Sequence, residues 1–194
     1  MRKIIYSMQM SLDGYIEDAA GSIGFTHPTA ELHAYFNARE AGIDTHIYGR
    51  RLYEIMNDYW PDAASDPKGT PETIAYAGIW NDLDKLVFSR TLTAVAGKAR
   101  LARRDIASEV ADLRARPGKD ISLGGATLAR DFIALGLVDE FEVTIAPVLL
   151  GRGKRLFGDF EGVTGLRLVE HRVFDGGFVV LRYERDGADR AFGA

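Results

Sequence analysis

The feature that most constrains this chain is a unit that recurs: a short apolar run ends on glycine or serine, and a stretch with helical spacing follows. Ile4 to Met8 is the first apolar run, and Asp13-Gly14 supplies turn chemistry before Tyr15-Ile16. Residues 44–48 end at Gly49, ahead of a helix over Arg50 to Asn57 with Leu52, Ile55 and Met56 on one face. Lys85–Phe88 ends at Ser89-Arg90-Thr91, and Ile121-Ser122-Leu123 runs into Gly124-Gly125 and a helix that stops at Leu135-Gly136. Further helices are expected from Thr29 to Ala41, from Pro71 to about Asn81 and from Ile106 to Arg114. The segments up to Pro28, over 58–71 and over 98–104 read as irregular, and Val138 to Leu150 as largely extended. Leu166–Phe174 and Phe178–Glu184, joined by Asp175-Gly176-Gly177, read as an antiparallel hairpin. Strand–helix alternation closed by a hairpin predicts an α/β fold with a mostly parallel central sheet and an antiparallel C-terminal edge. One domain over residues 1–185 with a loose tail at 186–194 is the expected organisation.

Charge and cysteine content remove whole classes of function. With 24 basic against 28 acidic residues the formal charge is −4, which gives no broad attraction for nucleic-acid phosphates. Cysteine is absent, so thiol nucleophiles, disulfides and Cys-ligated metals are excluded, and the four histidines have no spacing that recommends a metal. The basic start and the apolar run after it resemble a leader, but Ser7 and Gln9 interrupt the run and Asp13 closes it. No stretch approaches the ~20 apolar residues of a membrane span, and the expectation is a cytoplasmic protein. A P-loop fails at Gly151-Arg152-Gly153-Lys154, where arginine follows the lysine, and the spacing of Gly151, Gly153 and Gly158 breaks the Rossmann pattern.

What survives is a set of strand ends suited to phosphate. Paired glycines at Gly124-Gly125, followed by Ala126-Thr127-Leu128 at a helix start, let an anion approach free backbone N–H groups, although they also suit a plain tight turn. Arg50 and Arg51 stand in the first turn of a helix, where they oppose its dipole, and their guanidinium groups can fork onto phosphate oxygens. Ser89, Arg90 and Thr91 add hydroxyls and a third cation. Three such turns on one sheet suggest a long ligand with several phosphates, such as a dinucleotide.

These residues, in order, resemble a known family. Ser11-Leu12-Asp13-Gly14-Tyr15-Ile16, Tyr48-Gly49-Arg50, Phe88-Ser89-Arg90-Thr91-Leu92, Gly124-Gly125-Ala126-Thr127-Leu128 and Ala146-Pro147-Val148-Leu149-Leu150-Gly151-Arg152-Gly153 are similar to the dihydrofolate-reductase-like superfamily. The branch is the reductase domain of the bifunctional riboflavin-biosynthesis deaminase–reductase and its stand-alone relatives. The resemblance implies a three-layer fold that binds NADPH: Gly124, Gly125, Ala126, Thr127 and Leu128 at the pyrophosphate, Gly49, Arg50 and Arg51 along the phosphates, and Ser89, Arg90 and Thr91 near the adenosine 2′-phosphate. It implies a flap over Gln9 to about Phe25, hydride transfer to a pyrimidine- or pterin-like heterocycle or a related C=N or C=O acceptor, and Glu31 as the group that orients or protonates it. Glu31 also suits the first turn of a helix with no catalytic role, Asp13 before glycine is ordinary turn chemistry as well as a candidate beside the substrate, and Tyr53 is either a core aromatic or a cleft residue. A zinc deaminase half, with its Pro-Cys-x-x-Cys, cannot be contained in a chain without cysteine. The alternatives are the ribosylaminopyrimidine reductase of riboflavin biosynthesis itself and an NADPH-binding regulatory module without catalysis. A homodimer is expected from the apolar strand at 141–150 and the hairpin, which would otherwise leave an open sheet edge.

Overall fold

A computed structural model describes residues 1–159 and 163–186. The tail assigned to 186–194 lies, apart from Asp186, outside the described residues. Five strands run parallel through the middle of the sheet: β1 (Ile4–Ser11), β3 (Ile43–Gly49), β4 (Asp84–Phe88), β6 (Asp120–Gly124) and β7 (Glu140–Ala146). A short parallel strand, β5 (Ala99–Leu101), flanks β4, and the antiparallel pair β9 (Leu166–Val173) and β10 (Val179–Arg185) continues the sheet beyond β7. The order is β5-β4-β3-β6-β1-β7-β10-β9, and β2 (Tyr15–Asp18) pairs with β8 (Gly153–Arg155) in a separate two-stranded sheet.

Alternation along the strands sorts side chains onto two faces. Ile4, Tyr6, Ile47, Leu86, Ile121 and Leu123 point to one face, where α4 (Ile106–Ala115) contributes Val110 and Leu113 and α5 (Ala126–Ala134) contributes Ala129 and Phe132. On the opposite face Leu32 of α1 (Ala30–Glu40) packs with Ala146 and Val180, while Tyr53 of α2 (Arg50–Tyr59) packs with Tyr48 and Val87. The remaining helix, α3 (Pro71–Asp82), lies beside α1, with Asn37 Nδ2 donating to Glu72 O at 2.9 Å. Each large apolar side chain buried this way contributes roughly 1.5–3 kcal/mol. The result is helix, sheet, helix in three layers, as the strand–helix alternation predicts.

Several details depart from expectation. Residues 98–104, read as irregular, contain β5, whose three residues pair with β4 through Leu86↔Arg100. Tyr15-Ile16 and Lys154 are strand residues too, because β2 and β8 satisfy each other's backbone across 135 or more positions of sequence. Only Glu140–Ala146 of the extended 138–150 segment is a strand, and it is interior, between β1 and β10. The edges of the sheet are therefore β5 and β9, and β9 carries a register shift opposite Arg182/Tyr183, an irregularity that discourages further pairing.

Buried charge tethers α1 to the sheet. Glu140 and Glu142 of β7 are buried, and Arg39 Nε donates to Glu142 Oε2 at 2.8 Å while Arg182 Nη2 meets Glu140 Oε1 at 2.8 Å. Burial pushes the Glu142 carboxyl up, and the guanidinium groups of Arg39 and Arg182 oppose that shift.

Candidate active site

The three turns singled out in the sequence stand side by side. In the order β4-β3-β6, Gly49 pairs with Phe88 and Tyr48 with Gly124, so Ser89, Gly49 and Gly125 follow adjacent strands at the same, C-terminal, edge of the sheet. That edge is where open α/β sheets bind ligands.

Helix capping marks the same place. Thr29 Oγ1 accepts from Leu32 N at 3.3 Å to cap α1, Thr70 Oγ1 from Thr73 N at 3.2 Å to cap α3, and Asp105 Oδ1 from Ser108 N at 2.9 Å to cap α4. The N-caps of α2 and α5 are Gly49 and Gly125, which have no side chain to offer. The first N–H groups of both helices are left for another acceptor, and both positive dipole ends point to one edge. Gly125 has φ +94°, a conformation that disfavours any side chain. A Cβ on Gly124 would lie 2.7 Å from Leu52 Cδ2 and 3.3 Å from Tyr48 Cε1, and one on Gly49 only 3.8 Å from Leu128 Cβ, so the two helix starts are close neighbours.

The cations divide in their present partners. Arg50 Nη1 pairs with Glu54 Oε2 at 2.9 Å along α2, and Arg51 Nη2 with Glu17 Oε2 of β2 at 3.1 Å. Arg51, Glu17, Gly21 and Lys154 are among the residues lining a broad recess of about 670 Å³ between β2–β8 and the start of α2. The Arg90 guanidinium makes no hydrogen bond or ion pair among the described residues. Ser89 Oγ accepts from Thr91 N at 3.1 Å and Leu92 N at 2.9 Å, which shapes the turn that presents Arg90 and leaves Thr91 exposed.

Two residues expected near the substrate, Tyr53 and Asp13, have partners within the fold. Tyr53 is 4% exposed in the core, and its hydroxyl accepts from Ala96 N at 2.8 Å and donates to Asn57 Oδ1 at 3.3 Å, which ties α2 to the loop before β5. Asp13 accepts from Ser11 Oγ at 2.6 Å, Leu150 N at 3.1 Å and Gly151 N at 2.7 Å. The Ser11 hydroxyl first, and then these backbone donors, hold its carboxyl down to about 2, so it is a poor proton donor near neutrality. It fastens the loop after β7 to the turn after β1. Glu31, in the first turn of α1, is half exposed and braces the hairpin, accepting from Asp175 N at 3.2 Å and Arg172 Nη2 at 3.3 Å.

One residue was passed over in the sequence. Ser7 and Gln9 appeared only as polar interruptions of an apolar run, yet with Ser11 they form one face of β1, the face that looks toward α1. The Gln9 Oε1 atom is buried with no hydrogen-bond partner. Among the described residues no group of three or more metal-ligating side chains is assembled, and no helix is long and apolar enough to cross a membrane.

Comparison with known proteins gives these features a lineage. The chain is 37% identical over 192 residues to the uncharacterized protein YyaP of Bacillus subtilis, covering 96% of each, and 30% identical over 192 residues to YwjB of the same organism, covering 95% of this chain and 98% of that protein. Among solved structures it is similar to a protein from Shewanella sp. PV-4 described as a riboflavin biosynthesis protein, with TM-score 0.77, 25% identity and coverage of 96% of this chain and 99% of that one. It also superimposes on the deaminase/5-amino-6-(5-phosphoribosylamino)uracil reductase of Thermotoga maritima, with TM-score 0.66 and 15% identity, spanning 95% of this chain but 57% of that longer one. The fold is thus dihydrofolate-reductase-like. Since the RibD C-terminal domain model matches residues 2–180, a span that takes in every turn described above, the chain belongs to the RibD C-terminal domain family of reductase-type oxidoreductases.

Proposed function

We propose that the protein is an NADPH-dependent reductase of a small planar heterocycle, pyrimidine- or pterin-like, or of a related C=N or C=O acceptor. The observation that carries this reading is the pair of uncapped helix N-termini at Gly49 and Gly125 on adjacent strands, with the cations Arg50, Arg51 and Arg90 beside them. The residues fit the cofactor: the glycines admit a diphosphate against the N–H groups of Ala126, Thr127 and Leu128 and of the first turn of α2, and Arg90 has no other hydrogen-bonding commitment. Ser89 and Thr91 flank Arg90 in one turn, and these residues would hold the 2′-phosphate. NADPH, when bound, supplies the hydride.

The chain's own work is to bind, orient and exclude water. The turns of β3, β4 and β6 would hold the phosphates, and the Glu17–Arg51 ion pair ties the β2–β8 pair to the start of α2. Glu31 keeps solvent access beside the hairpin turn, and we assign it the delivery of a proton through water. Asp13, with its carboxylate filled by loop contacts, holds the flap in register and has no place in proton transfer.

The description of the Thermotoga neighbour favours a second reading, in which the acceptor is the ribosylaminouracil phosphate of riboflavin biosynthesis. Titration with NADPH and NADH followed by nicotinamide fluorescence, then NADPH oxidation against a panel of uracils, pterins and carbonyl compounds, tests both. Preferred NADPH binding with turnover on a heterocycle supports the proposal, and turnover confined to the ribosylaminouracil phosphate selects the second reading. Tight NADPH binding with no turnover on any acceptor would instead leave a nucleotide-binding module, and absent NADPH binding would end the proposal.

A further inference from the structure

The polar face of β1 is the least explained feature of the core. Strand β1 is central, and its even residues behave as a core strand should: Tyr6, Met8 and Met10 pack on the α4–α5 side. Its odd residues begin as core at Ile5 and then turn polar at Ser7, Gln9 and Ser11. Two of these polar groups have evident work. Ser7 Oγ donates to Glu142 Oε1 at 3.4 Å, and Ser11 Oγ donates to Asp13 and accepts from Tyr15 N at 3.0 Å. Gln9 makes no side-chain hydrogen bond among the described residues, although its Oε1 is buried. A buried acceptor without a donor is destabilising, and a bound molecule can provide the donor.

Placement says which molecule. Pairing of β1 with β6 stops at Tyr6↔Leu123, whereas pairing with β7 continues to Ser11↔Ala146. Ser7 to Ser11 thus run on past the last β6 contact, with Gly124 and Gly125 beside the open flank. Above the face that carries Gln9, α1 packs over β7 and β10 through Leu32, and α2 packs over β3 and β4 through Tyr53. The tip of β1 lies between the two helices, with Ser7, Gln9 and Ser11 on the face turned toward them. A ring docked there lies between the phosphate-suited turns and α1.

We propose that Gln9 is a specificity-determining residue whose Oε1 accepts an amide-type N–H from the planar ring bound over the tip of β1. The inference rests on the reductase reading for the presence of such a ring. Two rings of that reaction carry the chemistry, the carboxamide of the nicotinamide and the lactam or imide edge of the acceptor. The experiment separates them by calorimetry with two matched pairs of probes. One pair is NADPH and its 3-acetylpyridine analogue, in which a methyl ketone replaces the carboxamide; the other is 5,6-diaminouracil and its N3-methyl derivative.

Wild-type protein should prefer the N–H-bearing member of one pair at least tenfold, because the analogue leaves Oε1 unpaired. Gln9→Met, of similar length and without a polar atom, should flatten that preference to within twofold. Gln9→Glu, which keeps an acceptor oxygen at the same reach, should retain it. Equal wild-type affinity within both pairs overturns the proposal without recourse to any variant, as does a preference that survives in Gln9→Met. Failure of NADPH to bind while the uracil preference and its loss in Gln9→Met persist would remove the reductase reading and leave the role of Gln9 standing. Binding of neither ring would overturn both.

Discussion

The five α-helices among the described residues begin in two different ways, and the difference sets the proposed site apart from the rest of the scaffold. At α1, α3 and α4 a Thr or Asp side chain closes the first turn, with Pro71 adding a fixed φ at α3. At α2 and α5 glycine stands at the cap, and α2 even places two arginines in its first turn, against its own dipole. Each glycine cap forgoes a few tenths of a kcal/mol relative to a Thr or Asp cap, and the chain forgoes it twice, on adjacent strands. The side-chain caps are thus absent at the two helix starts proposed to meet the cofactor and present at the other three.

The contrast can be broken most severely at Gly125. With φ +94° at this position, Gly125→Ala forces a strained backbone and tilts the first N–H groups of α5, and it should lower NADPH affinity about a hundredfold while destabilising the fold by ~1–3 kcal/mol. Titration and thermal unfolding check the two parts separately. Arg90→Ala comes next: loss of one charge-assisted contact should weaken NADPH by ~1.5–3 kcal/mol, leave NADH nearly unchanged and leave Tm unaltered, since Arg90 has no partner to lose among the described residues. Thr70→Ala and Asp105→Ala sharpen the other side of the contrast. Each should cost about 1 kcal/mol of stability in denaturant unfolding and leave the NADPH Kd within error.

The smallest effect is a pH dependence. Asp13 has its carboxyl lowered in the fold to about 2, so its contribution is complete above the ordinary carboxylate value of ~3.9 and fades as pH falls from there toward 2. Asp13→Asn should flatten stability over that window alone and free the loop at Leu150–Gly151, which hydrogen exchange of those two amides would report.

How much of this was legible in the sequence follows from where each feature gets its cause. The parallel strands, the helices and the hairpin are written in local apolar spacing and in Gly and Pro punctuation, and they appear where that spacing puts them. Gly124-Gly125 could be read because tight turns with free N–H groups need glycine locally. The short strands β5 and β8 could not, since three residues carry no period and their pairing partners are distant in sequence. Tyr53 faces the core because Ala96, 43 residues away, supplies its donor, and Asp13 is filled by amides 137 and 138 residues away. Gln9 left a signal, a polar residue at alternate spacing in a central strand, but its meaning needs the knowledge that both faces of β1 are covered.

The central claim is that one phosphate-bearing cofactor rests on both uncapped helix starts at once. Backbone amide chemical shifts recorded through an NADPH titration test it most directly. The account expects the largest changes, saturating together, at Arg50–Arg51 and at Ala126–Leu128, with the first turns of α1, α3 and α4 silent. Changes confined to one of the two starts, or appearing at the capped helices, would contradict it.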